Sequence, residues 1–292
     1  MAYIGIVIVH YGDPTPTRGC VGAIAQDPSP VDRTIVVVDN SGNLDAGEFD
    51  GGSVLVSSTN IGYGAGANLG AATLTRENTD TLVVLNHDVE IAPGFLAAAL
   101  RATSLPGVAA AAGPLYLDSD RRRLWYAGGG VNRLTGTVWQ SRRPSAARRE
   151  RDVGFLPGAA VAFDYAAFLT VGGFDPRFFL YNEDLDIGLR LRRCRYRLRY
   201  VPEMAAVHHL GAATGSHAYS PLYLEHLSRT RLRPFHPLAY RCYLAALHTP
   251  YVALRAAAVL ALRGARGKAA MRALLRGHWQ ALSTIREGPR GV

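Results

Sequence analysis

Apolar runs rich in β-branched residues recur through the first 85 residues, and each ends in polar residues. They cover residues 3–9, 34–39, 53–57 and 81–85, with helix-length segments such as 17–26 and 65–76 between them. Strands that do not alternate with polar residues are typical of a parallel sheet covered on both faces. The pattern therefore predicts an α/β fold whose ligands bind at the carboxyl ends of the strands.

The pattern changes between about residues 107 and 163. Short strand-like pieces at 108–112, 124–127 and 161–163 alternate with Gly128–Gly130 and with a basic segment, Arg142–Arg151. We interpret this region as antiparallel additions to the sheet plus a mobile loop. A helix is then predicted from about Asp184 to Arg193, and a strand over 197–201 that Pro202 ends.

The last seventy residues are predicted to be helical, with breaks at Pro234, Pro237, Pro250 and Gly264. The apolar run 250–262 carries Arg255 and is too short, as a separate helix, to span a bilayer. Two interpretations stay open for it. It packs under the main domain, or it lies as an amphipathic helix on a membrane surface.

Charge and composition set the domain prediction. The chain has 292 residues, 48% of them hydrophobic, and a net charge of +9. Residues 219–292 hold 12 Lys and Arg against 2 Asp and Glu, whereas residues 1–218 hold 20 against 21. We therefore predict a catalytic domain over 1–218, with halves at about 1–106 and 107–218, and a basic helical extension over 219–292. Basic residues confined to a tail do not indicate a general nucleic-acid binder.

Three scattered cysteines, Cys20, Cys194 and Cys242, offer neither a disulfide framework nor a paired zinc motif. The N-terminal apolar run has no basic segment before it and reads as a strand rather than a signal peptide. Both features favour a cytoplasmic protein, with the basic tail available for peripheral contact with the inner face of a membrane.

Carboxylates and imidazoles follow the predicted strands. Asp88 ends the run Asn86-His87-Asp88, Glu183, Asp184 and Asp186 begin the predicted helix, and His208-His209 come later. Such groups can hold a divalent cation and remove a proton beside it, which indicates an enzyme acting on a phosphorylated substrate. Because a helix N-terminus stabilises a carboxylate anion, the helix carboxylates are expected to act through geometry rather than through a raised pKa.

A glycine-rich segment, residues 60–70, lies between a strand and a helix. Its G-x-G-x-G spacing departs from the dinucleotide fingerprint and does not follow the first strand, which disfavours nicotinamide binding. A loop that touches a nucleotide and a purely structural turn both stay open.

Taken in order, several short motifs resemble the inverting family 2 glycosyltransferases of GT-A fold, in the branch described as rhamnosyltransferase-like. They are Ile6–Tyr11, Val36–Ser41, Asn60-x-Gly62, Ala65-Gly66-x-Asn68, Leu85–Val89, Gly158–Ala160, Val171–Asp175, Phe178–Asp186 and Tyr200–Pro202 leading to His208. The resemblance implies a Rossmann-like nucleotide-binding sheet, mostly parallel with antiparallel additions, plus a C-terminal helical extension.

The resemblance also implies roles for single residues. Those implied to contact substrate are Val9, His10, Tyr11, Asp39, Asn60, Gly62, Asn68, Asn86, His87, Gly158 and Glu183. Asp184 matches the catalytic base, and Asp88 and His208 match the ligands of a divalent cation, Mg²⁺ or Mn²⁺. His209 stays open as an alternative to His208. Arg195 stands where the family has glycine, so a left-handed helix end is not expected here.

The implied reaction moves a hexose or deoxyhexose from a dTDP or UDP sugar to a hydroxyl of a glycan, lipid-linked or small-molecule acceptor. Two alternatives stay open. One is a nucleotidyltransferase, although the first strand lacks the basic phosphate loop that such enzymes use. The other is a non-catalytic scaffold of the same fold.

Overall fold

A computed structural model of the chain describes residues 2–49, 51–75, 79–117, 122–209, 220–264 and 267–289. The strands in these ranges are β1 (Tyr3–His10), β2 (Asp32–Asp39), β3 (Gly52–Val56), β4 (Thr81–Asn86), β5 (Val89–Ile91), β6 (Val108–Ala112), β7 (Leu115–Tyr116), β8 (Leu124–Tyr126), β9 (Gly129–Val131), β10 (Val138–Gln140), β11 (Arg151–Val153), β12 (Ala160–Asp164), β13 (Arg197–Tyr200) and β14 (Ala206–His208). The helices are α1 (Pro14–Ala25), α2 (Tyr63–Ala71), α3 (Phe95–Thr103), α4 (Tyr165–Thr170), α5 (Glu183–Arg193), α6 (Pro221–Thr230), α7 (Leu238–Arg263) and α8 (Gly267–Ser283).

A central eight-stranded sheet organises the chain, in the order β11-β13-β6-β12-β4-β1-β2-β3. β1 pairs in parallel with both β2 and β4, whereas β12 runs antiparallel between β4 and β6. The middle of β1 and of β4 is fully buried, which explains why these strands read as continuous apolar runs. The predicted mixed α/β sheet is confirmed, and β12 joins the two halves predicted for residues 1–218 into one sheet.

A second sheet, in the order β5-β14-β7-β8, lies beside the carboxyl end of β4. β14 runs antiparallel to β5, with His208 opposite Val89. The amide of His209 donates to the carbonyl of Asp88 at 2.9 Å. This pairing brings residues from the end of the predicted catalytic domain to the turn that follows β4.

The C-terminal helices pack against the main domain and against one another. The predicted boundary near residue 218 lies outside the described residues. Leu244 and Ala245 of α7 join the main core, whereas Val252 and Val259 pack with Leu274 of α8 in a smaller core. Of the two interpretations left open for this region, packing is therefore observed along one side of α7.

The predicted break at Pro250 is wrong, because this proline lies inside α7, a continuous helix of 26 residues. A proline inside a helix costs about 3 kcal/mol. Buried residues on both sides of it, His248 and Val252, are held in contact with the rest of the protein, and such packing supplies most of a helix's stability. The expected length was also wrong, since α7 is long and apolar enough for a membrane span, although 33% of its most apolar window is buried.

Helix α5 ends in a left-handed residue, contrary to expectation. Arg195 has a φ of 64°, the amide of Tyr196 donates to the carbonyl of Leu191, and the amide of Arg195 donates to that of Arg192. This is the bonding pattern that glycine usually completes at a helix end. The turn requires a left-handed backbone at this position, and this requirement outweighs the preference of arginine for a negative φ.

We predict that Arg195→Gly stabilises the protein. A left-handed conformation costs a residue with a Cβ about 1–2 kcal/mol, part of which is offset by the greater freedom of glycine in the unfolded chain. The net gain in the free energy of unfolding is expected to be about 0.5–1 kcal/mol by chemical denaturation. Arg195→Ala, which removes the exposed side chain but keeps the Cβ, is the control and should give no such gain. A glycine variant less stable than the alanine variant would contradict this account.

Candidate active site

A cavity of about 1010 Å³ opens at the carboxyl ends of β1 and β4. Most of the residues predicted to form the site lie on its wall. They are Val9, Tyr11, Asn60, Gly62, Asn86, His87, Asp88, Gly158, Glu183, Asp184 and His208. Side chains from widely separated parts of the chain therefore meet at the edge of the sheet where ligands were expected.

Three predicted contact residues, His10, Asp39 and Asn68, do not line this cavity. Asp39 is fully buried and accepts four backbone N–H bonds from residues 41–44. Burial opposes its charged form, but these bonds outweigh that effect and lower its pKa. The carboxylate thus shapes the loop after β2.

His10 and Asn68 are likewise engaged inside the protein. His10 is fully buried, with its ring nitrogens 2.6 Å from the Thr17 hydroxyl and 2.8 Å from the Asn43 amide oxygen. The Asn68 amide donates to the carbonyl of Phe174 at 2.7 Å and accepts from its N–H at 2.9 Å. Both side chains hold neighbouring loops of the site in place.

The loop before α2 needs glycine at position 62. Gly62 has a φ of 87°, and a Cβ there would lie 2.4 Å from the carbonyl oxygen of Phe179. The side chain of Asn60 accepts from the Gly62 N–H at 3.0 Å, and Asn40 donates to its carbonyl at 3.2 Å. This part of the glycine-rich segment is therefore a rigid cavity wall.

Asp88 and His208 form a close, buried polar pair on the cavity wall. The Asp88 Oδ1 lies 3.1 Å from the His208 Nε2, and both side chains are more than 90% buried. The Asn86 amide nitrogen is 3.1 Å from the same ring nitrogen. Burial opposes ionisation of Asp88, but the imidazole outweighs it and the pKa of the carboxyl is lowered.

His209 points elsewhere. Its Nε2 lies 3.2 Å from the Glu90 Oε1, and both of these side chains are exposed by more than a third. Neighbouring residues of a strand face opposite sides of a sheet, so only one of the two histidines can face Asp88. In the structure, His208 rather than His209 lines the cavity beside Asp88.

The Asp88–His208 pair fits a divalent cation. The Asp88 Oδ1 is buried and faces the His208 Nε2 at 3.1 Å, so an oxygen and a nitrogen suited to a cation stand side by side. Among the described residues, no group of three His, Cys, Asp or Glu side chains is arranged to hold a metal. A cation here would therefore need further oxygens from a substrate, as Mg²⁺ commonly does.

Glu183 and Asp184 begin helix α5 at the floor of the cavity. Tyr181 and Asn182 precede them with φ values of 66° and 68°, which turns the chain sharply into the helix. The amide of Gly158 donates to the Asp184 Oδ2 at 3.2 Å, and the amide of Leu185 donates to the Oδ1 at 2.7 Å. Both oxygens of Asp184 are therefore fixed in direction.

The expectation that these carboxyls keep ordinary pKa values is wrong. Burial, reinforced by the neighbouring Asp184, raises the pKa of Glu183 to about 8. Burial also raises the pKa of Asp184, although backbone N–H groups of Gly158, Leu185 and Asp184 itself oppose the shift. Desolvation at the cavity floor thus outweighs the helix N-terminus, and Asp184 becomes a stronger base than a surface carboxylate.

Asp186, the third carboxylate of the motif, has a structural role. It is fully buried and accepts from the Nε of Arg190 at 2.7 Å. Arg190 also donates to the carbonyls of Val171 and Gly173, at 2.6 and 2.8 Å. A buried ion pair with these further bonds fixes α5 against the turn after α4.

A family model described as "Glycosyltransferase like family 2" matches residues 2–235. The chain belongs to glycosyltransferase family 2. It is 34% identical over 197 residues to the N-acetylglucosaminyl-diphospho-decaprenol L-rhamnosyltransferase of Mycobacterium tuberculosis, a match that covers 60% of this chain and 64% of that one. It is also 39% identical over 57 residues to the rhamnosyltransferase WbbL of Escherichia coli K12, over 20% of this chain and 22% of that one.

The match to the mycobacterial relative spans less than two thirds of that protein. Two solved structures are similar to this family 2 protein. The mannosyltransferase PcManGT of Pyrobaculum calidifontis, in complex with GDP-Man and Mn²⁺, has a TM-score of 0.56 at 15% identity over 97% of this chain and 86% of that one. GalNAc-T7 with UDP, GalNAc and Mn²⁺ has a TM-score of 0.59 at 17% identity over 80% and 48%. These likenesses confirm the GT-A fold.

Sequence reasoning missed many residues of the cavity wall. Ten of them are Tyr63, Trp125, Phe179, Leu222, Tyr223, Leu227, Ser228, Arg231, His248 and Arg255. Seven of these come from the region between α5 and the end of α7, which was predicted mostly as a separate extension. Polar residues inside an otherwise apolar helix, such as His248 and Arg255, were the signal in the sequence that could have indicated that this region contributes to a binding cavity.

We predict that Glu183→Gln weakens the dependence of stability on pH. Between the ordinary pKa of 4.5 and the raised value of about 8, the unfolded chain has released a proton that the folded chain keeps. Stability of the unmodified protein therefore falls as pH rises through this window, by up to about 1.4 kcal/mol per pH unit. Glutamine removes this loss.

The measurement is the free energy of unfolding from pH 5 to 8.5. Glu203→Gln removes a carboxylate whose side chain is 61% exposed and is the control for the loss of one negative charge. A slope in Glu183→Gln as steep as in the unmodified protein would contradict the assignment.

Proposed function

We propose that this family 2 protein transfers a hexose or deoxyhexose, of the rhamnose type, from a nucleoside diphosphate sugar to an acceptor hydroxyl with inversion at the anomeric carbon. The observation that carries the proposal is the convergence of Asp88, His208 and Asp184 on one cavity at the strand ends. Family membership and the rhamnosyltransferase relatives support it. A dTDP or UDP sugar is the proposed donor.

The donor is proposed to lie between the loops that follow β1, β2 and β4. Tyr11, Asn60 and Asn86 present polar atoms to this side of the cavity. His10, Asp39 and Asn68 would act by holding the loops, since their side chains are engaged internally. His87, also on the wall, is proposed to contact ribose or phosphate.

Asp88 and His208 are the proposed ligands of a divalent cation, Mg²⁺ or Mn²⁺. Such an ion, when bound, neutralises the charge that develops on a departing diphosphate. The buried Asp88 Oδ1, 3.1 Å from the His208 Nε2, supports this role. The Mn²⁺ named for both solved structures is consistent with it.

Asp184 is the proposed base. It would accept the proton of the acceptor hydroxyl as that oxygen attacks the anomeric carbon from the side opposite the diphosphate. A single displacement of this kind needs no enzyme nucleophile. The raised pKa of Asp184 increases its basicity, and the N–H bonds from Gly158 and Leu185 aim its oxygens.

We predict that Asp184→Asn lowers sugar transfer about 10²–10⁴-fold, the usual contribution of a general base, while nucleotide binding persists. The experiment first screens dTDP, UDP and GDP sugars for slow donor hydrolysis, and then measures transfer with the best donor. Thermal shift with the matching nucleoside diphosphate and Mn²⁺ reports binding.

Asp88→Asn is the matched variant and should lose the Mn²⁺-dependent part of that shift. Unimpaired transfer by Asp184→Asn would overturn the base assignment. A protein that neither hydrolyses a donor nor is stabilised by any nucleoside diphosphate with Mn²⁺ would instead be a non-catalytic scaffold.

A lipid-linked glycan is the proposed acceptor, met at the inner face of a membrane. The mycobacterial relative is named for a decaprenol-linked acceptor. Between residues 242 and 262, every exposed side chain of α7 is uncharged, and Leu254 and Leu262 are 71% and 83% exposed. The exposed side of α8 carries Lys268, Arg272 and Arg276. An apolar face next to basic residues suits an anionic membrane surface.

We predict that the double change Leu254→Asp and Leu262→Asp lowers sedimentation with anionic liposomes at low salt. Each leucine that enters the bilayer contributes about 1.5–3 kcal/mol, so binding should fall at least about tenfold. Val56→Asp, at a residue 57% exposed on β3 at the edge of the central sheet, is the control. Equal sedimentation of all three proteins would count against this surface.

A further inference from the structure

Three arginines on the cavity wall have no carboxylate partner among the described residues: Arg142, which is exposed, and Arg231 and Arg255, which are partly buried. Arg231 follows α6, and Arg255 belongs to α7. Buried cations are usually paired, so Arg231 and Arg255 indicate a charge that the protein does not itself supply.

The electrostatic surroundings of Arg231 show the same imbalance. Burial lowers the pKa of its guanidinium, and Arg255 lowers it further by repulsion, with only Tyr251 opposing. Arg231 in turn helps to lower the pKa values of His248 and His278. The protein thus keeps a region of net positive potential, which attracts anions into a cleft.

The two arginines come from the C-terminal helical region, whereas Asp88 follows β4 and Asp184 begins α5. They therefore line the same cavity from different elements of the fold. Asp88 and His208 are already proposed to hold the cation that neutralises the donor diphosphate. A second positive region in the same cavity, bordered by α7, therefore suits a different anionic group.

We propose that Arg231 and Arg255 bind a phosphate or diphosphate group of the acceptor, at the end of the cavity that borders α7. This inference rests on the proposed function. The acceptor would place its anionic group between the two guanidiniums and extend its hydroxyl toward Asp184. Arginine suits this task because its planar fork donates two parallel N–H bonds to phosphate oxygens.

Position within the fold supports an acceptor that carries its phosphate on a lipid. Arg255 lies on α7 between Leu254, which is exposed, and Ala256, which is buried. One helix thus presents an uncharged outer face and, a fraction of a turn away, a cation inside the cavity. A lipid diphosphate has the same order of parts, with an apolar chain next to an anionic group.

The test measures binding of inorganic pyrophosphate and of farnesyl diphosphate by titration calorimetry, with a chelator present so that no divalent cation takes part. The unmodified protein is expected to bind both. Arg231→Ala and Arg255→Ala are each expected to weaken binding about 10-fold to 100-fold, the usual effect of losing a charge-assisted hydrogen bond at a buried site. Arg231→Lys should recover part of the loss.

Two control variants test whether a loss of binding is specific to Arg231 and Arg255. Arg272→Ala removes an exposed arginine of α8 outside the cavity and should bind as the unmodified protein does. Arg229→Ala, at an exposed residue of α6 that does not line the cavity, should do the same. Tighter binding of farnesyl diphosphate assigns a lipid-linked acceptor, and equal binding of the two probes assigns a water-soluble phosphorylated one.

Unchanged pyrophosphate binding in Arg231→Ala and Arg255→Ala would overturn the proposal, as would an equal loss in Arg272→Ala or Arg229→Ala. Failure of the proposed function gives a different result, which does not depend on how tightly the protein binds pyrophosphate. In that case no nucleoside diphosphate with Mn²⁺ raises the melting temperature of the protein.

Discussion

The site depends on the antiparallel pairing of β14 with β5. That ladder sets His208 opposite Val89 and bonds the His209 amide to the carbonyl of Asp88. A slip of one residue would turn His208 away and present His209 in its place, because side chains alternate along a strand. Three short strands, β5, β14 and β7, therefore decide whether an imidazole stands beside the Asp88 carboxylate.

The cavity keeps its charges apart. The Glu183 and Asp184 carboxyls lie on the floor, where burial raises their pKa values, and Arg231 and Arg255 lie on the wall formed by the C-terminal helices. Had the arginines reached the carboxyls, ion pairs would have lowered those pKa values and cancelled the positive potential. Because these groups are separated, the Asp184 carboxylate stays available for the proposed proton transfer. The guanidiniums of Arg231 and Arg255 stay available for the proposed anion.

The fold could be predicted from the sequence because its signals are local. Fully buried strands such as β1 and β4 must be apolar throughout, so they are visible without neighbours. The position of Asp88 after such a strand and of Asp184 at a helix start is equally local. These residues carried the recognition of the family and part of the cavity wall.

What could not be predicted depends on contacts between distant residues. Pro250 does not break α7, because buried residues on either side of it hold the helix together. Arg195 adopts a left-handed conformation that its own side chain disfavours. The raised pKa of Glu183 follows from burial, which a helix N-terminus in the sequence does not reveal. The same holds for Arg231 and Arg255, which enter the cavity only because the C-terminal helices fold over it.

The central claim is that Asp88 and His208 hold a cation beside the donor diphosphate while Asp184 faces the acceptor. Anomalous X-ray scattering from crystals grown with Mn²⁺ and a nucleoside diphosphate tests it most directly. The account predicts one manganese peak within bonding distance of the Asp88 Oδ1 and the His208 Nε2, with diphosphate oxygens completing its coordination and Asp184 outside it. A manganese ion bound instead by Glu183 and Asp184, or a nucleotide bound away from Asp88, would contradict it.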